Sequence, residues 1–213
     1  MACVYVIAGP PGIGKSTSGY RFIPENVDIL DADMIVHRYK KQGFQDYKDI
    51  GNIRYQDMVR RSLVSGEDFA IELNLGFQSH YDFVRQIKAF NFENIIHIIL
   101  YYTDDITICL NRAAERHTAG LHLVSPETIA EMYHNTFSLL TANFNITDEI
   151  TIIDVQPLDE PRVCGQLMNP SESITLSQAA PDWMKSLKAV LDQILQEERH
   201  QKVQERKLRG PRL

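Results

Sequence analysis

The segment that most constrains this chain is a glycine-rich loop close to the N-terminus. Gly9-Pro10-Pro11-Gly12-Ile13-Gly14-Lys15-Ser16 matches the pattern G-x-x-x-x-G-K-[ST] at every fixed position. A short apolar run, Val4–Ala8, precedes the loop, and residues 16–22 are predicted to open a helix. In such a loop backbone N–H groups converge on phosphate oxygens, the lysine reaches the β- and γ-phosphates, and the serine hydroxyl holds Mg²⁺. The sequence therefore predicts a nucleotide site formed by Gly9, Pro10, Pro11, Gly12, Ile13, Gly14, Lys15, Ser16 and Thr17.

Strand-like and helix-like patterns alternate along the chain, which favours a parallel sheet with helices on both faces. The predicted strands are Cys3–Ala8, Val27–Leu30, Phe69–Leu73, Ile95–Tyr102 and Ile150–Val155. The predicted helices are Met34–Lys41, Tyr47–Ser65, Tyr81–Phe90, Ile106–His117 and a helix capped by Ser125 that runs to about Phe144. The expected fold class is therefore α/β, a P-loop nucleotide-binding fold with a five-stranded parallel sheet.

Composition excludes several other classes of protein. The 213-residue chain has a net charge of −6, which argues against a general nucleic-acid binder. Its three cysteines are scattered, which is typical of a reduced, cytoplasmic protein, and Cys109 is expected to be a small core residue. No segment is apolar over the ~18 residues that a membrane span needs, so no membrane partner is expected.

Acidic residues follow two of the predicted strands at the edge where parallel sheets bind ligands. Asp33 follows the second strand and is either a site residue or the N-cap of the helix Met34–Lys41. Asp31 is the weaker candidate, because side chains alternate along a strand. Glu72 lies inside the apolar strand Phe69–Leu73, where a carboxylate needs a partner, a metal or a substrate.

Two arginines end the helix Ile106–His117, and a glycine-containing segment follows them. Arg112 and Arg116 are four residues apart, so they share one helical face and are placed to clamp phosphates as a lid does. The other interpretation is a solvated ion-pair face that includes Glu115. His122 is a candidate contact to phosphate or substrate, although a lone loop histidine is often incidental.

The last fifty residues are interpreted as additions to the core. Residues 161–181, rich in Pro, Ser and Asn, are expected to connect a P-loop domain (residues 1–160, lid 112–126) to a C-terminal amphipathic helix (182–213). The apolar stripe of that helix is predicted to consist of Trp183, Leu187, Val190, Leu191, Ile194 and Leu195. From Arg199 onward the chain is basic, which is typical of a frayed, solvated end.

Residues 3–155 resemble the zeta-toxin-like P-loop kinases. The resemblance rests on Gly9–Thr17, Asp31-Ala32-Asp33, Gly66–Glu72, the segment from Arg112 to Pro126, and Ile152-Ile153-Asp154. It implies transfer of the ATP γ-phosphate to a hydroxyl of a small molecule, a UDP-amino-sugar in the toxin members, with an antitoxin protein as a partner. It implies that Lys15 and Ser16 bind ATP and Mg²⁺, that Asp33 takes the acceptor hydroxyl, that Glu72 lines the acceptor pocket, and that Arg112 and Arg116 approach the phosphates.

The chain also departs from that family's pattern. Met132-Tyr133 stands where many members have Arg-Tyr, Leu121 replaces a lid glycine, and Val155-Gln156 replaces Asn-Ser. Two alternatives therefore stay open: a kinase that acts on a nucleoside or another metabolite, and an ATP-binding regulatory protein with weakened catalysis. The guanine-reading motif Asn-Lys-x-Asp is absent from the sequence, which argues against a GTPase.

Overall fold

The computed structural model describes residues 1–118, 124–156, 160–168 and 173–208. Within these residues the strands β1–β7 are Cys3–Ala8, Asp28–Leu30, Phe69–Leu73, Ile95–Tyr102, Glu149–Asp154, Arg162–Leu167 and Thr175–Leu176. The helices α1–α7 are Lys15–Ser18, Ala32–Lys41, Tyr47–Ser65, Gln78–Phe90, Ile106–Thr118, Pro126–Ala142 and Asp182–Leu208. Short 3₁₀ turns span Gly19–Phe22 and Phe144–Ile146. No helix in the described ranges is long and apolar enough to cross a membrane.

All the described strands belong to one sheet in the order β2-β3-β1-β4-β5-β6-β7. The strands β2, β3, β1, β4 and β5 are parallel, whereas β6 and β7 pair antiparallel. In register, Ile7 on β1 lies opposite Glu72 on β3, and Leu30 on β2 lies opposite Ile71. The carboxyl ends of β1, β2 and β3 therefore meet at one edge of the sheet, so the loops that follow them lie together.

Each face of the sheet is covered by its own apolar cluster. On one face the buried residues of α3, α4 and α7 pack on alternate residues of the central strands, such as Val6 and Ile98. On the other face α5 and α6 pack on the intervening residues, such as Ile7 and Ile99. Central strands buried on both faces are the expected state of a parallel sheet.

The sheet has seven strands in the described part of the chain rather than the five expected. The five expected strands form its parallel part, and β6 and β7 lie in residues 161–181, which composition had marked as a connection. In β6 only Cys164, Gly165 and Leu167 are buried, and Pro161 precedes the strand. A short strand with so few buried side chains resembles a loop in composition, because its stability comes from backbone pairing with β5.

Most helices begin and end close to the predicted residues. The helix after the glycine-rich loop and the apolar face of α7 differ from the prediction. The helix expected over residues 16–22 is only Lys15–Ser18, followed by a 3₁₀ turn over Gly19–Phe22. In α7 the fully buried stripe is Met184, Leu187, Leu191 and Leu195, whereas Val190 is exposed. Trp183 and Ile194 also pack on the core, so five of the six predicted residues are confirmed, Met184 joins the stripe and Val190 does not belong to it. The side chains of the basic end beyond residue 200 lie outside the described residues.

Candidate active site

The glycine-rich loop joins β1 to α1 in a conformation that only glycine adopts easily. Gly12 has φ +80°, and a Cβ placed there would lie 2.3 Å from the carbonyl oxygen of Cys109 on α5. Gly14, which caps α1, has φ +107°. Larger residues at these positions would strain the backbone and push the loop away from α5. Cys109 is fully buried at this contact, as expected for a core residue.

Lys15 folds back into the loop and uses all three of its N–H donors. Its Nζ donates to the carbonyl oxygens of Gly9 at 2.7 Å and Pro10 at 3.1 Å, and to Oδ1 of Asn74 at 2.8 Å. The side chain is only 6% exposed. Burial lowers the pKa of Lys15 to about 8, although the nearby charge of Glu72 opposes that shift. The ammonium is therefore a desolvated cation surrounded by neutral acceptors. An anion can take the place of these acceptors.

Glu72 lies beside the start of α1. The Ser16 hydroxyl donates to Oε1 of Glu72 at 2.9 Å, because β3 and β1 are neighbours in register. Burial raises the pKa of Glu72, while Lys15 and the Ser16 hydrogen bond act in the opposite direction. The strand carboxylate that the sequence singled out thus contacts the loop serine rather than a structural arginine.

Asp31 and Asp33 have different positions from those expected. Asp31 is the N-cap of α2, and its Oδ1 accepts a hydrogen bond from the backbone N–H of Met34 at 3.1 Å. Asp33 lies inside the first turn of α2 and is exposed, so its interpretation as the helix cap is wrong. The reason is that α2 begins two residues earlier than predicted, at Ala32.

The two arginines of α5 differ in their surroundings. Nη1 of Arg112 donates to the carbonyl oxygen of Ile13 at 2.9 Å. This bond holds the glycine-rich loop Gly9–Ser16, called the phosphate loop from here on, against α5. Arg116, one turn further along, is exposed. Arg112 therefore contributes to the shape of the loop, whereas Arg116 is a cation open to solvent.

One cavity of 710 Å³ brings most of the candidate residues together. Besides part of the phosphate loop, its lining includes Asp31, Asp33, Glu72, Asn74, Arg112 and Arg116. The cavity volume is in the range typical of ligand sites. His122 and most of the glycine-containing segment after Arg116 lie outside the described residues. Gly9, Pro10 and Ile13 are not in the lining, although their carbonyl groups hold Lys15 and Arg112.

Met132, one of the departures from the family's pattern, packs away from the phosphate loop. It is 7% exposed, and a Cβ on Gly76 would come within 2.4 Å of its side chain. Met132 thus supports the turn after β3, which leads from Glu72 and Asn74 to α4.

Asn74 is a site residue that the sequence reasoning missed. It lies two residues after Glu72, so both side chains point to the same side of the strand end, and it accepts a hydrogen bond from Lys15. The alternation of side chains along a strand could therefore have identified Asn74 from the sequence, once Glu72 had been singled out. The next residue, buried Leu75, has φ +49°, the one non-glycine residue of the described chain with a left-handed backbone. Such a conformation costs on the order of 1–3 kcal/mol and often occurs beside functional sites.

Comparisons with known proteins agree with this architecture. No protein-family model matches the chain. A cytidylate kinase from Staphylothermus marinus is 24% identical in an alignment of 159 positions that covers 71% of this chain and 84% of that protein. The likeness therefore extends over most of both chains at low identity.

Two solved structures share the fold. The complex of AvrRxo1-ORF1 and AvrRxo1-ORF2 with ATP matches with a TM-score of 0.65 and 8% identity over 88% of this chain, which spans 64% of that neighbour. A structure of the PezAT toxin–antitoxin system of Streptococcus pneumoniae matches with a TM-score of 0.58 and 15% identity, covering 92% of this chain and 87% of that one. The chain thus has an α/β P-loop fold, which it shares with these two structures.

Proposed function

We propose that this protein is a phosphotransferase that moves the γ-phosphate of ATP to a hydroxyl group of a small molecule. The observation that carries the proposal is the single cavity lined by Lys15, Ser16, Asp33 and Glu72 together with Arg112 and Arg116. It combines a phosphate-binding loop, cations and carboxylates, which are the groups that phosphoryl transfer requires. A neighbour of the same fold that was solved with ATP supports this choice of nucleotide.

In the proposed reaction the loop and Lys15 hold the β- and γ-phosphates. The Nζ donors of Lys15, now engaged by the Gly9 and Pro10 carbonyls and by Asn74, turn to phosphate oxygens. The acceptor oxygen forms a bond to the γ-phosphorus while the bond to the bridging oxygen of ADP breaks. Asp33 accepts the proton of the acceptor hydroxyl, and Arg116 neutralises charge on the transferring group.

The residues around Ser16 fit a magnesium ion bound together with the nucleotide. Mg²⁺ is usually held by one or two protein oxygen ligands plus phosphates and water. The Ser16 hydroxyl and the Glu72 carboxylate, 2.9 Å apart, supply two such oxygens beside the phosphate loop. When bound, the ion would neutralise phosphate charge.

Two acceptors have support from different sources. The resemblance to zeta-toxin-like kinases, which stays a prediction, favours a UDP-amino-sugar, with Glu72 and His122 as acceptor contacts. The likeness to a cytidylate kinase favours a nucleotide acceptor. An antitoxin partner is proposed on the same resemblance and on the shared fold with a component of a toxin–antitoxin structure.

The main alternative is an ATP-binding regulatory protein with weakened catalysis. Met132 is the observation that favours it, because a buried methionine occupies a position where many zeta-toxin-like members carry an arginine. This alternative predicts normal ATP binding without transfer to any acceptor.

The test compares the wild type with Asp33→Asn in a phosphorylation screen. Purified proteins are incubated with γ-labelled ATP and pools of metabolites that include UDP-N-acetylglucosamine and cytidine monophosphate. Because Asp31 caps α2, Asp33→Asn leaves the cap intact, and we expect an unchanged melting temperature and ATP affinity. Transfer should fall on the order of 10²- to 10⁴-fold, since an amide cannot accept the proton.

Two results would contradict the proposal in different ways. Equal product from both proteins would remove Asp33 from the reaction and move the search for the base to Glu72. ATP binding by the wild type without product from any pool would favour the regulatory alternative. Lys15→Ala serves as the control that abolishes turnover and weakens ATP binding.

A further inference from the structure

We infer that Asn74 is a further γ-phosphate-binding residue, whose amide N–H groups donate to the γ-phosphate of ATP beside Lys15. The inference rests on the proposed function and adds a group to its nucleotide site. Asn74 lies one residue beyond β3 and is half-buried. It lines the 710 Å³ cavity together with Lys15, Ser16 and Arg116.

The contact with Lys15 decides which end of the Asn74 amide is left for a ligand. An ammonium group has three donors and no acceptor, so only the amide oxygen can face it. Asn74 Oδ1 lies 2.8 Å from Lys15 Nζ, as this pairing requires. The other end of the amide, Nδ2, has no hydrogen-bond partner within the described part of the chain. Asn74 therefore offers two N–H donors to the cavity that it lines.

The turn that carries Asn74 is held in place by α6. Leu75 is fully buried with φ +49°, and a Cβ on Gly76 would lie 2.4 Å from the side chain of Met132. The side chain of Asn135, also on α6, donates to the carbonyl oxygen of Gly76 at 3.4 Å. A left-handed backbone at a non-glycine residue persists only where the surroundings fix it. The amide of Asn74 is therefore positioned before a ligand binds, which is what makes a donor effective in an electrostatic site.

The position of Asn74 suits the γ-phosphate rather than the α- or β-phosphate. In a loop of this pattern the backbone N–H groups surround the α- and β-phosphates, and the lysine reaches the β- and γ-phosphates. The γ-phosphate therefore extends beyond the loop and needs donors from other segments. Asn74 comes from the end of β3 and contacts the lysine that reaches this phosphate. The nearby ammonium also keeps the amide oriented after Lys15 turns to the phosphates, because it attracts Oδ1 and repels the N–H dipoles.

A neutral amide fits this position, whereas a carboxylate of the same shape would not. Glu72, two residues earlier, already places a carboxylate beside Ser16. A second carboxylate at residue 74 would repel the γ-phosphate and pair with Lys15, because both charges would lie within a few ångströms of it. The amide instead presents its oxygen to the ammonium and its hydrogens to the phosphate. Hydrogen bonds to such a charged group are stronger than those between neutral groups.

The experiment compares ADP with a non-hydrolysable ATP analogue, so it needs no knowledge of the acceptor. Calorimetry with Mg²⁺ present is run on the full chain for the wild type, Asn74→Ala and Asn74→Asp. Asn74→Ala removes both ends of the amide, and Asn74→Asp keeps the oxygen that faces Lys15 but removes the donors. Asn52, an exposed residue of α3 outside the cavity lining, gives the matched controls Asn52→Ala and Asn52→Asp.

We expect the wild type and both Asn52 variants to bind the ATP analogue more tightly than ADP. Asn74→Ala should reduce this preference on the order of 10- to 100-fold, the effect of losing a hydrogen bond to a charged group. Asn74→Asp should reduce it further, because its carboxylate also repels the γ-phosphate. The affinity for ADP should change less in both variants, since the loop backbone holds the β-phosphate.

The opposite result is expected if Asn74 only holds Lys15 in the ATP-free protein. Asn74→Ala would then remove a competitor for the Lys15 donors, and both nucleotides would bind at least as tightly as they bind the wild type. That result, an unchanged preference in Asn74→Asp, or a wild type without preference for the ATP analogue overturns the inference while phosphotransfer stands. If the wild type binds neither nucleotide, the proposed function itself fails. Melting temperatures of each variant with and without ADP show that a lost preference is not a loss of fold.

Discussion

Lys15 shows at the scale of one residue how the fold prepares an anion site. Its ammonium group is nearly buried and is satisfied by two loop carbonyls and an amide oxygen, all of them uncharged. Burial disfavours the charged form, which lowers the pKa of Lys15 from 10.5 to about 8. A phosphate would supply the negative charge that the ammonium lacks.

ATP affinity should therefore depend on pH through Lys15. As the pH rises through 8 the free protein loses the proton that the bound phosphates require, so the dissociation constant should rise about tenfold between pH 7 and pH 9. Calorimetric titrations with ATP from pH 7 to pH 9 measure this slope. Lys15→Ala should bind more weakly with a flat profile, and an equally steep profile in that variant would assign the titration to another group.

The same shift has the opposite effect on the stability of the ATP-free protein. Between about pH 8 and the ordinary value of 10.5, the unfolded chain keeps a proton on Lys15 that the folded chain has released. The contribution of this group to the free energy of unfolding therefore rises with pH in that window.

At the scale of elements, α5 and the phosphate loop form one unit. Gly12 packs directly on the backbone of α5 at Cys109, and Arg112 donates from α5 to the carbonyl of Ile13. Sequence spacing had given Arg112 and Arg116 equal roles. Their contacts in the structure differ, because Arg112 shapes the loop whereas Arg116 is open to solvent.

Arg112→Ala and Arg116→Ala should consequently have different effects on ATP affinity and kcat. Arg112→Ala frees the Ile13 carbonyl and loosens the loop, so ATP affinity and kcat should both fall. Arg116→Ala should lower kcat on the order of 10³-fold with little change in ATP affinity, because its charge acts on the transferring phosphate. Steady-state kinetics with ATP titrations measure both constants. Turnover near wild type in both variants would contradict these roles and favour the interpretation of Arg112 and Arg116 as part of a solvated ion-pair face.

At the scale of the whole molecule, the C-terminal quarter of the chain, from residue 161, completes the core rather than trailing from it. The strand β6 extends the sheet beside β5, and Gly165 on β6 packs closely against Met184 of α7. Leu187, Leu191 and Leu195 continue that contact into the cluster on the same face of the sheet. The helix is thus part of the apolar core of the fold.

Truncation tests this role of α7. Removing residues 182–213 exposes the apolar face beneath four buried side chains, each worth about 1.5–3 kcal/mol before entropy costs, so the melting temperature should fall sharply. Removing only 201–213 leaves those side chains in place and should change the melting temperature little. Thermal unfolding followed by circular dichroism compares the two truncations with the full chain, and equal losses would overturn this account of α7.

The sequence by itself determined the local features of this protein, because each depends on neighbours in the chain. The loop from Gly9 to Ser16 carries its own backbone requirements, and strong apolar periodicity located the parallel strands and most helices. The same reasoning found Glu72, since a carboxylate in an apolar strand needs a partner wherever it lies. Ser125 was likewise readable as a helix cap, and it does accept a hydrogen bond from Thr128.

Only the tertiary structure decided what depends on contacts between distant segments. Strand register brought Glu72 to Ser16 and Asn74 to Lys15. Because α2 starts two residues earlier than predicted, Asp31 rather than Asp33 is its N-cap. Pairing of β6 with β5 and of β7 with β6 made strands of a segment whose composition is typical of a loop. The close packing of α2 on α3 placed Arg38 and Arg54, which no local pattern distinguishes from other surface arginines, in the lining of one further cavity. Periodicity reports which side of an element is buried, but which elements meet is fixed by the packing of the whole chain.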